Sequence, residues 1–113
     1  MRPIVLVVLV LTVGACSSEQ PRLRERTLFW EGTLAHEVPP GTGRDAILAW
    51  ASSRHIHMTE LTERHMLEAT LEVVPDEGII HFPCGSWNII VYVTLNAEGH
   101  SLENRITTVG TCI

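Results

Sequence analysis

Lysine is absent from this sequence of 113 residues, so all eight of its basic residues are arginine. Thirteen acidic residues outnumber them and give a formal net charge of -5 at pH 7. A surface with this excess of negative charge repels a phosphate backbone, which excludes nucleic acid as an expected partner. The missing lysine itself is what codon bias in a GC-rich genome produces.

Cysteine is also scarce, with three in the chain. A cysteine-based metal site needs further cysteine or histidine ligands at close spacing, and neither Cys84 nor Cys112 has them. The sequence has no glycine-rich phosphate loop and no nucleophile elbow, and the adjacent Asp76 and Glu77 are typical of a turn rather than of a catalytic carboxylate pair. We therefore expect no enzymatic activity, no cofactor and no metal.

No hydrophobic stretch reaches the length of about 20 apolar residues that a membrane-spanning helix needs. The main apolar run extends from Ile4 to Val13 and follows Arg2 at the amino terminus. A positive charge followed by a short apolar segment is the layout of a secretory signal. We therefore predict a signal peptide over residues 1–15 and export of the remainder.

The end of this segment, LTVGAC at residues 11–16, resembles the lipobox of bacterial lipoprotein precursors. In that family the cysteine thiol receives a diacylglycerol, the peptidase cuts before it, and the new amino terminus is usually acylated as well. The resemblance implies that Cys16 is lipidated and anchors the chain to a membrane of the cell envelope. Ser17 and Ser18 follow without an aspartate, which in the best-known lipoproteins favours the outer membrane, facing the periplasm. An ordinary secretory signal with an incidental cysteine is the alternative.

Residues 16–26 are polar, with arginine at positions 22, 24 and 26. This composition predicts a flexible tether between lipid and domain, whose arginines either contact anionic head groups or keep a solvated linker extended. The apolar patch at residues 28–30 should dock on the domain as a short strand or an irregular segment. A single domain is expected over residues 27–113, because an exported chain of about 98 residues supports one modest core.

A helix is predicted from Thr42 to about Arg54, after the Pro-Pro-Gly sequence at residues 39–41. Thr42 is placed to cap it, with Asp45 as its capping-box partner. One stripe of this helix should face the core. Its members are Ile47, Trp50, Ala51 and Arg54.

Three antiparallel strands are predicted after the helix. The first, from Met66 to Val74, alternates, with Leu67, Ala69, Leu71 and Val73 on one face and Glu68, Thr70 and Glu72 on the other. The second runs from Trp87 to Leu95, and a turn at residues 96–99 leads into the third, from His100 to Val109. The predicted fold is therefore α+β, with one main helix packed on a three-stranded antiparallel meander.

The hairpin between the last two strands bears on the remaining cysteines. If Leu95 faces His100, then Val93 faces Leu102, Ile89 faces Ile106 and Cys84 faces Thr111. Cys84 would then be one residue short of Cys112, and a bulge at Gly85 or Gly110 would supply the difference. Because export places both thiols in an oxidising compartment, we predict a disulfide between Cys84 and Cys112.

Residues 41–47, GTGRDAI, lead into the predicted helix and resemble the Gly-x-Thr-x-x-x-Val opening of the SmpA/OmlA (BamE-like) small outer-membrane lipoproteins. Gly43 stands where that family tends to have threonine, and residues 51–54 lack the Leu-Gly-x-Pro stop that usually ends its helix. The resemblance covers residues 39–109 as an order of elements and implies a non-enzymatic binding or envelope-assembly module. The same layout recurs in proteins that inhibit periplasmic hydrolases, so an inhibitor or immunity protein against an envelope-active enzyme or toxin is the alternative.

One face of the predicted sheet is covered by the helix, and the other is free. The free face carries Glu68, Glu72 and Tyr92 together with Thr70 and Ile90, and we predict that an envelope protein binds there. A plain solvated surface is the alternative.

Paired histidines at residues 55 and 57 are the remaining candidates for chemistry. His55 and His57 could place two imidazoles on one face of an extended segment, with His65 or Glu60 as a third metal ligand. Exposed loop histidines are the simpler interpretation, and no metal site is predicted.

Overall fold

The structure, a computed structural model, describes residues 20–78 and 84–112. Two helices precede four strands: α1 (Pro21–Glu37), α2 (Arg44–Ser53), β1 (Met58–Leu61), β2 (Met66–Pro75), β3 (Cys84–Leu95) and β4 (Ser101–Cys112). The strands form one antiparallel sheet in the order β1-β2-β3-β4. The α+β class is therefore confirmed, while α1 and β1 are additions to the predicted helix and three strands. The predicted signal peptide and Cys16 lie outside the described residues.

Helix α1 occupies much of the segment that was expected to be a tether. It begins with Pro21 at its first turn, a position where the missing backbone N–H costs nothing. Leu23, Trp30 and Leu34 are buried at helical spacing and form the stripe that packs on the sheet. The prediction of a flexible tether is thus wrong from residue 21 onward, and the apolar patch at residues 28–30 is helical rather than a strand or an irregular segment.

The start of α1 is bonded to the turn that follows β2. Gln20 Nε2 donates to Asp76 Oδ1 at 2.9 Å, and the Glu77 backbone N–H donates to Gln20 Oε1 at 2.9 Å. The Arg22 backbone N–H, one of the donors that a helix start leaves without a partner, donates to Glu77 Oε2 at 3.0 Å. A carboxylate at this end of the helix is also favoured by the helix dipole. Residues 20–26, which were expected to belong to the tether or to its boundary, are therefore part of the folded domain.

Helix α2 matches the predicted helix in place but not in its cap. Ile47 and Ala51 are buried, as predicted from the stripe. Gly43 is the N-cap, and no side chain caps the helix. The Thr42 hydroxyl donates instead to the Pro39 carbonyl oxygen. The cap prediction is wrong because the segment before α2 is fixed by backbone pairing with the start of β4, where Gly41 N–H donates to Ser101 O at 2.7 Å.

A bulge divides strand β2 into two halves that face opposite ways. Thr70 pairs with Ile90, but Glu72 pairs with Ile89, which leaves Leu71 as an extra residue. The inward and outward positions are exchanged beyond it, so Val74 is 1% exposed and Val73 is 55% exposed. The predicted alternation holds as far as Leu71 and is wrong for the last residues of the strand.

The β3–β4 hairpin has a different register from the predicted one. Leu95 pairs with Ser101, and an extra residue at Leu102 shifts the pairing, so that Ile89 faces Thr108 rather than Ile106. A second bulge at Gly85 reverses this shift and places Cys84 opposite Cys112. The bulge is thus at one of the two glycines predicted for it. The side chains of both cysteines lie outside the described part of the structure, so their disulfide stays a prediction.

The core lies between the two helices and one face of the sheet. The strand residues buried in it all belong to that face. Leu34 of α1, Ile47 of α2 and Val38, directly after α1, are buried in it as well. No described residue of the opposite sheet face is buried. The sheet therefore has one covered face, as predicted, and one face that we call the open face.

Candidate binding face

The centre of the open face is a row of four residues, one from each strand. Strand pairing aligns Thr59 with Glu68, Glu68 with Tyr92, and Tyr92 with Arg105. The Arg105 guanidinium carbon is 5.6 Å from the centroid of the Tyr92 ring, within the range of a cation–π interaction. The sheet register therefore sets one aromatic ring between a carboxylate and a guanidinium.

Apolar side chains extend from this row along the strands. Ile90 lies next to Tyr92 on the same face, between Thr70 and Thr107. Val73, which lies beyond the bulge in β2, is 55% exposed, and Val109 of β4 is 46% exposed. A shallow depression of about 300 Å³ beside Glu68 is lined by residues that include His57, Thr59 and Thr70. The open face thus combines an aromatic and aliphatic surface with charges at its centre.

Two of the three residues predicted for the binding face are found there. Glu68 and Tyr92 are neighbours on adjacent strands of the open face. Glu72 is not part of it, because the bulge at Leu71 turns it to the covered face. There its Oε1 accepts hydrogen bonds at 2.8 Å from both Trp30 Nε1 and Arg26 Nε. The placement of Glu72 on the binding face is therefore wrong, and its role is to hold α1 against the sheet.

The histidines that were considered as metal ligands do not converge. His55 follows α2 with a φ of 60°, and His65 follows the short turn Thr62–Arg64 with a φ of 52°. Within residues 20–78 and 84–112, no group of three or more His, Cys, Asp or Glu side chains could hold a metal ion.

An ion pair away from the open face joins the ends of the two helices. The Glu37 carboxylate accepts hydrogen bonds from Trp50 Nε1 at 2.7 Å and from Arg54 Nη2 at 2.8 Å. The Trp50 hydrogen bond and, after it, Arg54 lower the pKa of Glu37 below its ordinary value of 4.5. Arg44 likewise lowers the pKa of Glu60, with which it forms an ion pair. These contacts join the end of α1 to the end of α2, and α2 to β1.

Comparisons with known proteins give no relative for this domain. No protein-family model, no curated protein and no solved structure matches the chain. None of the described helices is long and apolar enough to cross a membrane. The features of the chain that bear on its function are therefore the sequence motif at Cys16 and the geometry of the open face.

Proposed function

We propose that this chain is a lipoprotein of the bacterial cell envelope that acts by binding an envelope protein through its open face, without chemistry of its own. Acyl chains on Cys16 hold it to a membrane, and the residues that follow Cys16, Ser17 and Ser18, favour the outer membrane, facing the periplasm. The observation that carries the binding role is the position of Tyr92 between Glu68 and Arg105 on the sheet face that neither of the two described helices covers.

The chemistry of this face suits protein recognition. Aromatic and arginine side chains supply a large share of the binding energy at protein interfaces, and charged neighbours fix the orientation of the partner. The three longer strands have ten to twelve residues and lie about 4.8 Å apart, so with the four residues of β1 beside them the sheet face measures roughly 15 by 30 Å. That flat area of about 450 Å² is a little over half of the roughly 800 Å² per partner of a standard interface, which puts the open face at the small end of protein interfaces.

The resemblance of residues 41–47 to the SmpA/OmlA opening supports an assembly role within the envelope. The order of elements, helix before antiparallel strands, agrees with what that resemblance implies. Gly41 has a φ of 95°, a conformation that glycine adopts at little cost, so its place in the motif has a structural reason. We therefore propose an envelope-assembly or scaffold protein as the partner class.

The test is a double variant of the open face, Glu68→Arg with Tyr92→Ala, in the full chain. Proteins crosslinked to it in intact cells would be captured and compared by quantitative mass spectrometry with those captured by the unaltered chain. We expect at least about tenfold less of the specific partner, the loss of about 1.4 kcal/mol or more that one interface hot spot supplies. The melting temperature should stay almost unchanged, because both side chains lie outside the core.

Glu98→Arg is the matched control, since Glu98 is an exposed residue of the β3–β4 turn. It reverses one charge without touching the open face and should leave capture unaltered. If the double variant folds and captures the same proteins as the control, the interface lies elsewhere. If it unfolds, the face belongs to the core, and the proposed binding role fails.

A further inference from the structure

Helix α1 exposes two large apolar side chains on the side that faces away from the sheet. Leu28 is 61% exposed and Phe29 is 43% exposed, whereas Leu23, Trp30 and Leu34 of the same helix are buried. The Arg26 guanidinium carbon is 4.3 Å from the centroid of the Phe29 ring. Exposed apolar side chains on an outward helix face are a feature of helices that lie in a membrane interface.

The position of Cys16 limits how far this helix can be from a bilayer. Four Cα–Cα steps separate Cys16 from Gln20, and a fully extended chain covers at most about 14 Å over that length. Gln20 is itself fixed to the domain by its hydrogen bonds with Asp76 and Glu77. With a rise of about 1.5 Å per residue, Leu28 lies only about 12 Å further along the helix. A lipid on Cys16 therefore keeps the whole first half of α1 close to the membrane surface.

The local charge also fits a lipid surface. The first two turns of α1 carry three arginines and one acidic residue, Glu25, in a chain whose formal net charge is -5. Arg26 is paired with Glu72, so Arg22, which is exposed at the start of the helix, is the arginine that is attracted to the phosphates of anionic head groups. The negative remainder of the domain is repelled by them, which favours one orientation.

We propose that α1 lies on the bilayer that carries the lipid of Cys16, with Leu28 and Phe29 inserted at the boundary between head groups and acyl chains. This inference rests on the proposed lipidation of Cys16. It also deepens the proposed function, because α1 covers the face of the sheet opposite the open face. The open face is then directed away from the membrane, towards a partner in the periplasm.

The experiment uses the full chain, expressed in bacteria, purified in its processed form and reconstituted into vesicles of phosphatidylethanolamine and phosphatidylglycerol. Leu28→Trp places a fluorescent reporter at the proposed contact, and Val109→Trp places one on the open face as a matched control of similar exposure. Bromine atoms on the acyl chains quench only indoles that reach them. The fluorescence that Leu28→Trp adds to that of the native tryptophans should fall by about half in brominated vesicles, since an interfacial side chain inserts about 5–10 Å. That of Val109→Trp should not change.

Two results would overturn the inference. Equal, unquenched fluorescence from both variants would mean that α1 stands clear of the bilayer, and quenching of Val109→Trp would mean that the open face contacts it instead. Labelling with radioactive palmitate separates these outcomes from a failed anchor. A labelled protein with an unquenched Leu28→Trp reporter overturns only the orientation, whereas an unlabelled protein overturns the proposed anchor and the orientation together.

Discussion

Two glutamates of β2, four positions apart, have different partners. Glu72 accepts hydrogen bonds from Trp30 and Arg26 of α1, whereas Glu68 lies beside Tyr92 on the open face. Trp30 is only 6% exposed, so its indole N–H depends on Glu72 for a partner. Glu68 lies before the bulge at Leu71 and Glu72 lies after it, and this difference sets how much each glutamate contributes to stability.

Replacing these glutamates by alanine should therefore give different results. We expect Glu72→Ala to lower the free energy of unfolding by about 2 kcal/mol, because it leaves a buried donor unsatisfied. Glu68→Ala should change it by less than about 0.5 kcal/mol, as is usual for surface positions. Urea denaturation measures both, and Glu72→Gln, which keeps an acceptor for Trp30, should be intermediate. Equal effects of the two alanine variants would contradict the register described for β2.

Glu37 should make the stability of the domain depend on pH in the acid range. Its pKa is lower in the folded state than in the unfolded chain, so its carboxylate contributes stability above pH 4.5. That contribution is lost as the pH falls through the lowered pKa, where the folded state also becomes protonated. We expect the difference in melting temperature between the native chain and Glu37→Gln to be present at pH 7 and to narrow below pH 4.5. If the difference in melting temperature is constant across this range, the charge of Glu37 does not contribute to the stability of the domain.

At the scale of the elements, the sequence predicts most of the sheet and one helix. The alternation in β2 and the branched and aromatic residues of β3 identify strands because they reflect burial on one face. Bulges at Leu71 and Leu102 are not predictable in the same way, since each depends on how a strand fits its neighbour and the turn. They explain why Glu68 and Tyr92 were placed correctly and Glu72 was not.

Helix α1 was missed for a different physical reason. Its buried residues, Leu23, Trp30 and Leu34, are spaced as on one helix face, which is a signal that the sequence contains. The signal is weak because arginines and glutamates surround it and Gly32 lowers the helix propensity of the segment. Its N-terminal contacts come from Asp76 and Glu77, far away in the sequence. Tertiary packing, rather than local propensity, decides that this segment is helical.

Cys84 pairs with Cys112 across β3 and β4, so the predicted disulfide joins two residues that lie opposite each other. A bond between them closes a loop of about 29 residues and should stabilise the fold by roughly 3–4 kcal/mol in the chain-entropy model. Reduction should lower the melting temperature of the native protein markedly and leave that of the Cys84→Ser, Cys112→Ser double variant unchanged. Alkylation of both thiols without reductant, detected by mass spectrometry, would exclude the bond.

At the scale of the whole molecule, the proposed membrane attachment depends on a single side chain, that of Cys16. Cys16→Ser removes the thiol that would receive the diacylglycerol, so this variant should incorporate no radioactive palmitate. It should remain as the uncut precursor or be released, rather than fractionate with membranes as the mature protein. Ser17→Ala, next to it, is the control and should be processed normally. Unchanged palmitate labelling of Cys16→Ser would refute the proposed anchor.

The hydrogen bonds at the start of α1 connect residues that, under the proposed export, would reach the periplasm at different times. Gln20 and Arg22 are bonded to residues 56 and 55 positions further along the chain. A chain exported amino terminus first, as we propose, delivers Cys16 long before Asp76 and Glu77 arrive. Until then α1 has no docking site, so the cysteine next to it stays accessible to the acylating and cleaving enzymes. This order of translocation would allow Cys16 to be acylated before the domain folds. The later arrival of Asp76 and Glu77 would then fix α1 in place.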